Sequence, residues 1–125
     1  MENVIKIGVG LVALLFTFNG LMLMFAPEAG IGGFAITAEG PAGLNTVRGD
    51  LGGLFLGGAI LAALGMFKNK AYLLALAIVL GVIMLGRIIG LSADGFAPTT
   101  LVFLLIEAVA VTVLIMAHRQ SDLGA

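Results

Sequence analysis

Four long runs of apolar residues alternate with shorter segments that hold most of the polar and turn-forming residues. A membrane-spanning helix needs roughly 20 predominantly apolar residues, and each run is about that long. The pattern therefore predicts an all-α, polytopic membrane protein that folds as an antiparallel four-helix transmembrane bundle. In this interpretation the chain forms a single transmembrane domain over 1–125, with helices at about 5–26, 44–67, 71–91 and 98–118 and an outer loop at 27–43.

The composition agrees with a lipid environment. The chain is 61% hydrophobic and only 10% charged, whereas soluble domains have roughly 45–50% apolar and about 25% charged residues. A water-soluble fold of this size cannot hide so much apolar surface, because small domains bury a smaller share of their surface than large ones. We therefore expect membrane lipid to surround the chain.

Few residues suit metal or redox chemistry. Cysteine is absent and His118 is the single histidine. These facts exclude disulfide and iron–sulfur chemistry, and a histidine-based metal or haem site would need ligands from another chain. The formal net charge of −1 provides no basic field for a nucleic acid. We expect no cofactor, no metal and no nucleic-acid partner.

The cationic residues that flank the spans predict the orientation of the bundle. They precede the first span, separate the second from the third and follow the fourth, whereas segments 27–43 and 92–97 contain no lysine or arginine. Cytoplasmic loops carry an excess of lysine and arginine, so both termini are expected in the cytoplasm. The flanking cations are Lys6, Lys68, Lys70 and Arg119.

The outer loop at 27–43 allows two interpretations. It is rich in glycine and proline, yet it also contains Ile31, Phe34 and Ile36. Loops of this length are commonly either functional lids or flexible connectors. The apolar residues favour an interfacial flap over the outer end of the bundle, and the turn formers are equally consistent with a plain connector.

Small residues at intervals of four or eight predict close helix packing, because helices in lipid associate through near approach of their backbones. In the second span they occupy two faces, which predicts that this helix lies centrally and packs on both sides. A similar spacing recurs in the third span. The residues are Gly49, Gly53, Gly57 and Gly65 on one face, Gly52, Ala59 and Ala62 on another, and Gly86 and Gly90 in the third span.

Five polar residues lie within or at the head of the apolar runs, where lipid disfavours them: Asn19, Asn45, Arg48, Arg87 and Glu107. An ionisable group at the bilayer centre costs about 2.5–3.5 kcal/mol on insertion scales, so such groups usually face a bundle interior or a cavity. At about 1.5 Å of rise per residue, four of them lie roughly 6–12 Å below the outer ends of their helices. We therefore expect them to share one site in the outer half of the bundle.

Helical phase supports this expectation. Asn45 and Arg48 are three residues apart and share a face, whereas Asp50 points some 200° away from Arg48, at about 100° per residue. An Arg–Glu bridge that only holds the helices in register is the simpler explanation. Two arginines, one glutamate and two asparagines exceed what one bridge requires, and the residual positive charge favours a ligand site.

The segment Asn45-Thr46-Val47-Arg48-Gly49, the glycines that follow it to Gly58, Leu85-Gly86-Arg87 with Gly90, and Glu107 together carry a family resemblance. The chain resembles a family of small bacterial membrane proteins known as a domain of unknown function, similar in general layout to the DoxX-like proteins. The resemblance extends from the first span to the last. It implies a multi-pass protein of the bacterial cytoplasmic (inner) membrane and no particular activity.

Three functions remain open. The first is a binding module in which the five polar residues receive a lipid, a quinone-like molecule or another amphipathic ligand with an acidic or carbonyl head. The second is an accessory subunit or homo-oligomer that packs in a larger membrane complex through its glycine faces. The third is an intramembrane enzyme with Glu107 as acid or base, which we rank last, and we assign no catalytic residue.

The predicted orientation is testable because the natural chain has no cysteine. In the variant Glu39→Cys a membrane-impermeant maleimide should react from the outer side of intact cells. In the variant Lys68→Cys the same reagent should react only after the membrane is opened. The opposite labelling pattern would reverse the topology.

Overall fold

The computed structural model describes the backbone of residues 2–124 and the side chains of residues 2–120. Met1 and Ala125, which the predicted domain includes, lie outside the described residues. The described chain is helical with short connections. Its elements are α1 (Glu2–Phe25), α2 (Pro27–Gly30), a 3₁₀ turn (Ile31–Phe34), α3 (Gly40–Thr46), a π-helical segment (Val47–Gly52), α4 (Gly53–Phe67), α5 (Ala71–Ala93) and α6 (Pro98–Gly124).

Four helices in the described part of the chain are long and apolar enough to cross a membrane. They are α1, the continuous second span Gly40–Phe67, α5, and the portion Pro98–Gln120 of α6. The prediction of an all-α helical bundle is therefore confirmed. The helices α1 and α4 pack closely together, as do α5 and α6, and contacts between α4 and α5 and between α1 and α6 complete the ring.

The connection between the first two spans is shorter and more ordered than the predicted loop at 27–43. It contains α2 and the 3₁₀ turn, and the second span begins at Gly40 rather than near residue 44. Pro41 occupies the first turn of α3, where the fixed φ of proline favours a helix start. The helix therefore begins before the apolar run does. An apolar run indicates which residues lie in hydrocarbon, and a helix can extend beyond those residues.

We term the half of the bundle that contains the start of α1 and the connection between α4 and α5 the inner half, and the opposite half the outer half. The inner half is a continuous apolar core. All four spans contribute buried side chains to it, and Leu73, Leu76 and Leu114 are almost fully buried. This core does not extend to the outer end. No residue of α5 after Leu80 is buried, and no residue of α6 before Ala110 is buried. The outer halves of α5 and α6 are therefore not closely packed against α1 and α4.

A second, smaller core lies at the outer end between α1, the second span and the segment 27–39, which we term the outer flap. Leu23, Ile31 and Val47 are its buried residues, and Phe34 packs against it. A side-chain carbon added at Gly30 would lie only 3.1 Å from the backbone nitrogen of Leu23, so the flap approaches α1 closely. Of the two interpretations of this segment, the structure shows the packed flap.

Close backbone approach joins α1 to α4. A β-carbon at Gly20 would lie 2.8 Å from the backbone nitrogen of Leu56, and one at Gly58 would overlap the ring of Phe16. The predicted packing of the second span on two sides is confirmed: an added β-carbon at Gly52 would lie 3.1 Å from the backbone nitrogen of Met24 in α1, and one at Gly65 would lie 3.1 Å from the backbone nitrogen of Leu73 in α5. The remaining members of the first predicted glycine face have no such neighbour: a β-carbon at Gly49, Gly53 or Gly57 would meet no atom within 4 Å, and the same holds for Gly86 of α5.

The substitution Gly20→Ala should separate α1 from α4 and lower the free energy of unfolding by about 1–3 kcal/mol. Gly10→Ala is the matched control, because it lies on the same helix and an added β-carbon meets no atom within 4 Å. The control should be neutral or slightly stabilising, since alanine favours helices by up to about 1 kcal/mol over glycine. Thermal unfolding in a nonionic detergent measures both, and equal effects would contradict the close contact.

Candidate ligand-binding cavity

A cavity of about 620 Å³ occupies the part of the bundle where the helices are not closely packed. All four spans and the outer flap contribute to its walls. Its volume lies within the range of about 300–1,000 Å³ that is typical of small-molecule sites. Among the described side chains that line it, three are polar, namely Asn19, Arg87 and Glu107.

The two charged residues of the cavity form an ion pair between α5 and α6. The Nε of Arg87 donates to both carboxylate oxygens of Glu107, at 2.8 Å and 2.9 Å. The side chain of Glu107 is 13% exposed and that of Arg87 is 28% exposed. Hydrocarbon offers no partner to a charged group. Each residue therefore lowers the free-energy cost of placing the other one in the membrane.

An aromatic ring supports the arginine of this pair. The guanidinium carbon of Arg87 lies 4.7 Å from the centre of the Phe103 ring, a distance at which a cation is attracted to the ring face. Phe103 and Glu107 are four residues apart on α6 and therefore project from the same helical face. One face of α6 thus supplies both the counter-charge and the aromatic contact.

Aromatic contacts continue from this pair across the cavity. Phe34 of the outer flap stacks on Phe103, with ring centres 5.7 Å apart and planes inclined by 15°. Phe34 also contacts Phe55, which in turn meets Phe16 edge to face at 5.1 Å. These four rings connect α6, the flap, α4 and α1. The polar pattern of the sequence did not predict these ring contacts, although the four-residue spacing between Phe103 and Glu107 was a detectable signal.

The backbone after Phe34 supports a specific position for the flap. Ala35 has a φ of 57°, a left-handed conformation that costs a non-glycine residue roughly 1–2 kcal/mol. Such conformations persist where the surrounding packing requires them. The contacts of Phe34 with Phe55 and Phe103 supply that packing.

Asn19 lies in the cavity wall as expected. Its Nδ2 donates to the backbone oxygen of Leu15 one turn earlier at 2.8 Å. An amide side chain bonded in this way retains its oxygen as an acceptor. Asn19 therefore adds a neutral polar group to the wall formed by α1.

Arg48 and Asn45 do not join the other three predicted residues. Arg48 is exposed and its Nη1 donates to the backbone oxygen of Met24 at 2.6 Å. That oxygen belongs to the last turn of α1, where carbonyls lack helical partners and a cation is favoured. Asn45 is exposed on α3, a helix with no buried residue, and neither residue lines the cavity among the described side chains.

The axial register of α1 and the second span explains this correction. Gly20 lies beside Leu56 and Gly52 lies beside Met24, so α1 ends about level with residue 51. Arg48 is roughly 4–5 Å beyond that level at 1.5 Å per residue, and Asn45 is farther still. The depth expected from the sequence assumed that all spans begin at one plane, whereas this span projects past its neighbour.

The Arg87 side chain retains unused hydrogen-bonding capacity. Only its Nε is bonded among the described residues, and the two terminal nitrogens of a guanidinium carry four further N–H groups. The surrounding walls are almost wholly apolar. The arrangement offers directional donors beside a largely apolar cavity, which suits recognition of an oxygen on a largely hydrophobic molecule.

These features define an all-α bundle with four membrane-length helices and an ion pair inside a largely apolar cavity. Residues 4–118 match the family described as a domain of unknown function, DUF4345, and the chain belongs to that family. No curated protein and no solved structure matches the chain. Family membership confirms the part of the resemblance that concerned a domain of unknown function, whereas the bacterial origin and the DoxX-like layout stay predictions.

Removal of one member of the ion pair should destabilise the bundle more than removal of Arg48. Arg87→Ala or Glu107→Ala leaves a partly buried charge without its partner, with an expected loss of about 2–3 kcal/mol in the free energy of unfolding. Arg48→Ala removes an exposed hydrogen bond, worth about 1 kcal/mol. Denaturant unfolding in detergent measures all three losses.

The paired replacement Arg87→Met with Glu107→Leu should restore most of the stability, because it leaves no unpaired charge. The loss in the double variant should therefore be smaller than the sum of the losses measured for Arg87→Met and Glu107→Leu alone. Strict additivity would show that the two side chains do not interact in the membrane.

Proposed function

We propose that the protein is a membrane-embedded binding module for a hydrophobic, amphipathic molecule. The polar end of the ligand would lie against Arg87, Glu107 and Asn19, and its apolar part would fill the remainder of the cavity. The observation that carries this proposal is the unused hydrogen-bonding capacity of Arg87 inside a cavity of about 620 Å³. A lipid, a quinone-like molecule or another amphiphile meets these requirements.

The geometry favours this role over an ion pair that only holds two helices together. An ion pair with a purely structural role stabilises a fold most when its remaining donors have acceptors and the space around it is filled by other side chains. Here the pair lines an open volume in which the guanidinium ends have no protein acceptor among the described residues. An oxygen-bearing ligand supplies both the acceptor and the missing packing.

The setting of the proposed site follows from the sequence pattern. We place the protein in the bacterial cytoplasmic membrane with both termini in the cytoplasm, as the flanking cations favour. The cavity then lies in the outer half of the membrane beneath the outer flap. The general layout of the DoxX-like proteins is consistent with this arrangement.

A second candidate function is an accessory subunit or a homo-oligomer. The observation that favours it is the row Gly49, Gly53 and Gly57, at which an added β-carbon meets no atom of the chain within 4 Å. Such rows allow close approach of another membrane helix. The two functions are compatible, since this row and the cavity involve different residues.

Native mass spectrometry of the full chain from a mild nonionic detergent tests the proposal. The natural chain should carry a hydrophobic molecule that dissociates on activation. The double variant Arg87→Met with Glu107→Leu should lose at least about nine-tenths of this occupancy, because hydrogen bonds to a charged group contribute about 1.5–3 kcal/mol.

Arg48→Met is the matched control, because it removes an arginine outside the cavity and should leave the occupancy unchanged. Equal occupancy in the double variant, or a natural chain without a bound molecule, would contradict the binding module. The same spectra report stoichiometry, so a discrete oligomer or a bound second protein would support the accessory role.

A further inference from the structure

The charge inside the cavity is balanced without a ligand. Arg87 and Glu107 are the only charged residues that line it among the described side chains, and they contact each other directly. Arg48, which the sequence suggested as a second cation, is bonded to the end of α1 instead. The residual positive charge that an acidic head group requires is therefore absent.

The cavity has more hydrogen-bond donors than its walls can use. The terminal nitrogens of Arg87 have no acceptor among the described residues, and Nε already serves both oxygens of Glu107. One N–H of the Asn19 amide donates to the backbone oxygen of Leu15. The unbonded groups of Arg87 are thus N–H donors. A ligand that satisfies them must supply an acceptor oxygen.

An anionic acceptor is disfavoured at this site. A carboxylate or phosphate would leave water for a largely apolar cavity without a free counter-charge, at a desolvation cost of several kcal/mol per ion. It would also approach the carboxylate of Glu107, and like charges at short range repel. A carbonyl or ester oxygen accepts the same hydrogen bonds without either cost.

The cavity walls include side chains that are also exposed on the outer surface of the bundle. The residues that belong to both come from all four spans: Leu15 and Phe18 of α1, Leu54 of α4, Val79 of α5 and Ile106 of α6. In a membrane such surfaces face hydrocarbon, so the cavity is accessible from lipid. A molecule that arrives by this route must itself dissolve in lipid.

We infer that the cavity selects uncharged, lipid-soluble molecules and binds a carbonyl or ester oxygen through Arg87. The inference rests on the proposed binding function and narrows its ligands to neutral hydrogen-bond acceptors. The electroneutral Arg87–Glu107 pair determines this selectivity. Glu107 acts as a positioning and charge-balancing residue, and Arg87 makes the contact with the ligand.

Methyl oleate and oleate form a matched pair of probes, because they share one hydrocarbon chain and differ in the charge of the head. Binding of each to the full chain is measured in a nonionic detergent, at an alkaline pH where oleate is ionised. Methyl oleate should bind at least about tenfold more tightly than oleate to the natural chain. Arg48→Met should leave this ratio unchanged.

Glu107→Gln tests the cause of the selectivity. The substitution keeps the shape of the side chain and leaves the charge of Arg87 unbalanced, so the ratio should shift towards oleate by at least about tenfold. A folded variant with an unchanged ratio would overturn the role of Glu107. Where this variant does not fold, the two probes on the natural chain still decide the inference.

The outcomes separate this inference from the proposed function. Tighter binding of oleate to the natural chain would overturn the neutral-acceptor selectivity and retain the binding module. Absence of binding by both probes, together with a chain that purifies without a hydrophobic molecule, would overturn the binding module itself. Preference for methyl oleate that Glu107→Gln reverses would support both.

Discussion

The contact between Arg87 and Glu107 joins α5 to α6 where neither helix has a buried residue. Hydrocarbon offers no partner to either charge, so each is acceptable there only while the other lies opposite it. The pair also positions Phe103 beneath the guanidinium, and Phe103 stacks on Phe34 of the outer flap. One polar contact thereby links two spans and the segment that covers them, and the cavity walls depend on it.

Packing is distributed unevenly along the bundle. The inner half is filled by aliphatic side chains from all four spans, whereas the outer half contains aromatic rings, the ion pair and open volume. The inner core stabilises the association of the helices. The outer half can therefore contain a cavity without separating the helices. Stability and the proposed binding site are therefore separated along the membrane normal, as in other proteins whose sites lie beside a rigid scaffold.

Much of the fold followed from local patterns. The four spans and a polar site containing Asn19, Arg87 and Glu107 were indicated by residue type and spacing, and the packed flap with Ile31 and Phe34 was one of two interpretations that the sequence left open. Arg48 and Asn45 were misplaced, because helical phase specifies the face of a residue but not the axial offset between helices. The glycine row of the second span shows the same limit, since spacing alone does not show which small residues have a neighbour.

By itself, the sequence determined that the chain forms membrane-length helices and that charged groups within them require partners. Both properties are local, because they depend on hydropathy and on the cost of a charge in hydrocarbon. Only the tertiary structure decided which groups meet. The close contact of Gly20 with Leu56 sets the offset of α1 and α4 and leaves Arg48 beyond the end of α1. That offset arises from packing between distant segments, and it makes the cavity electroneutral.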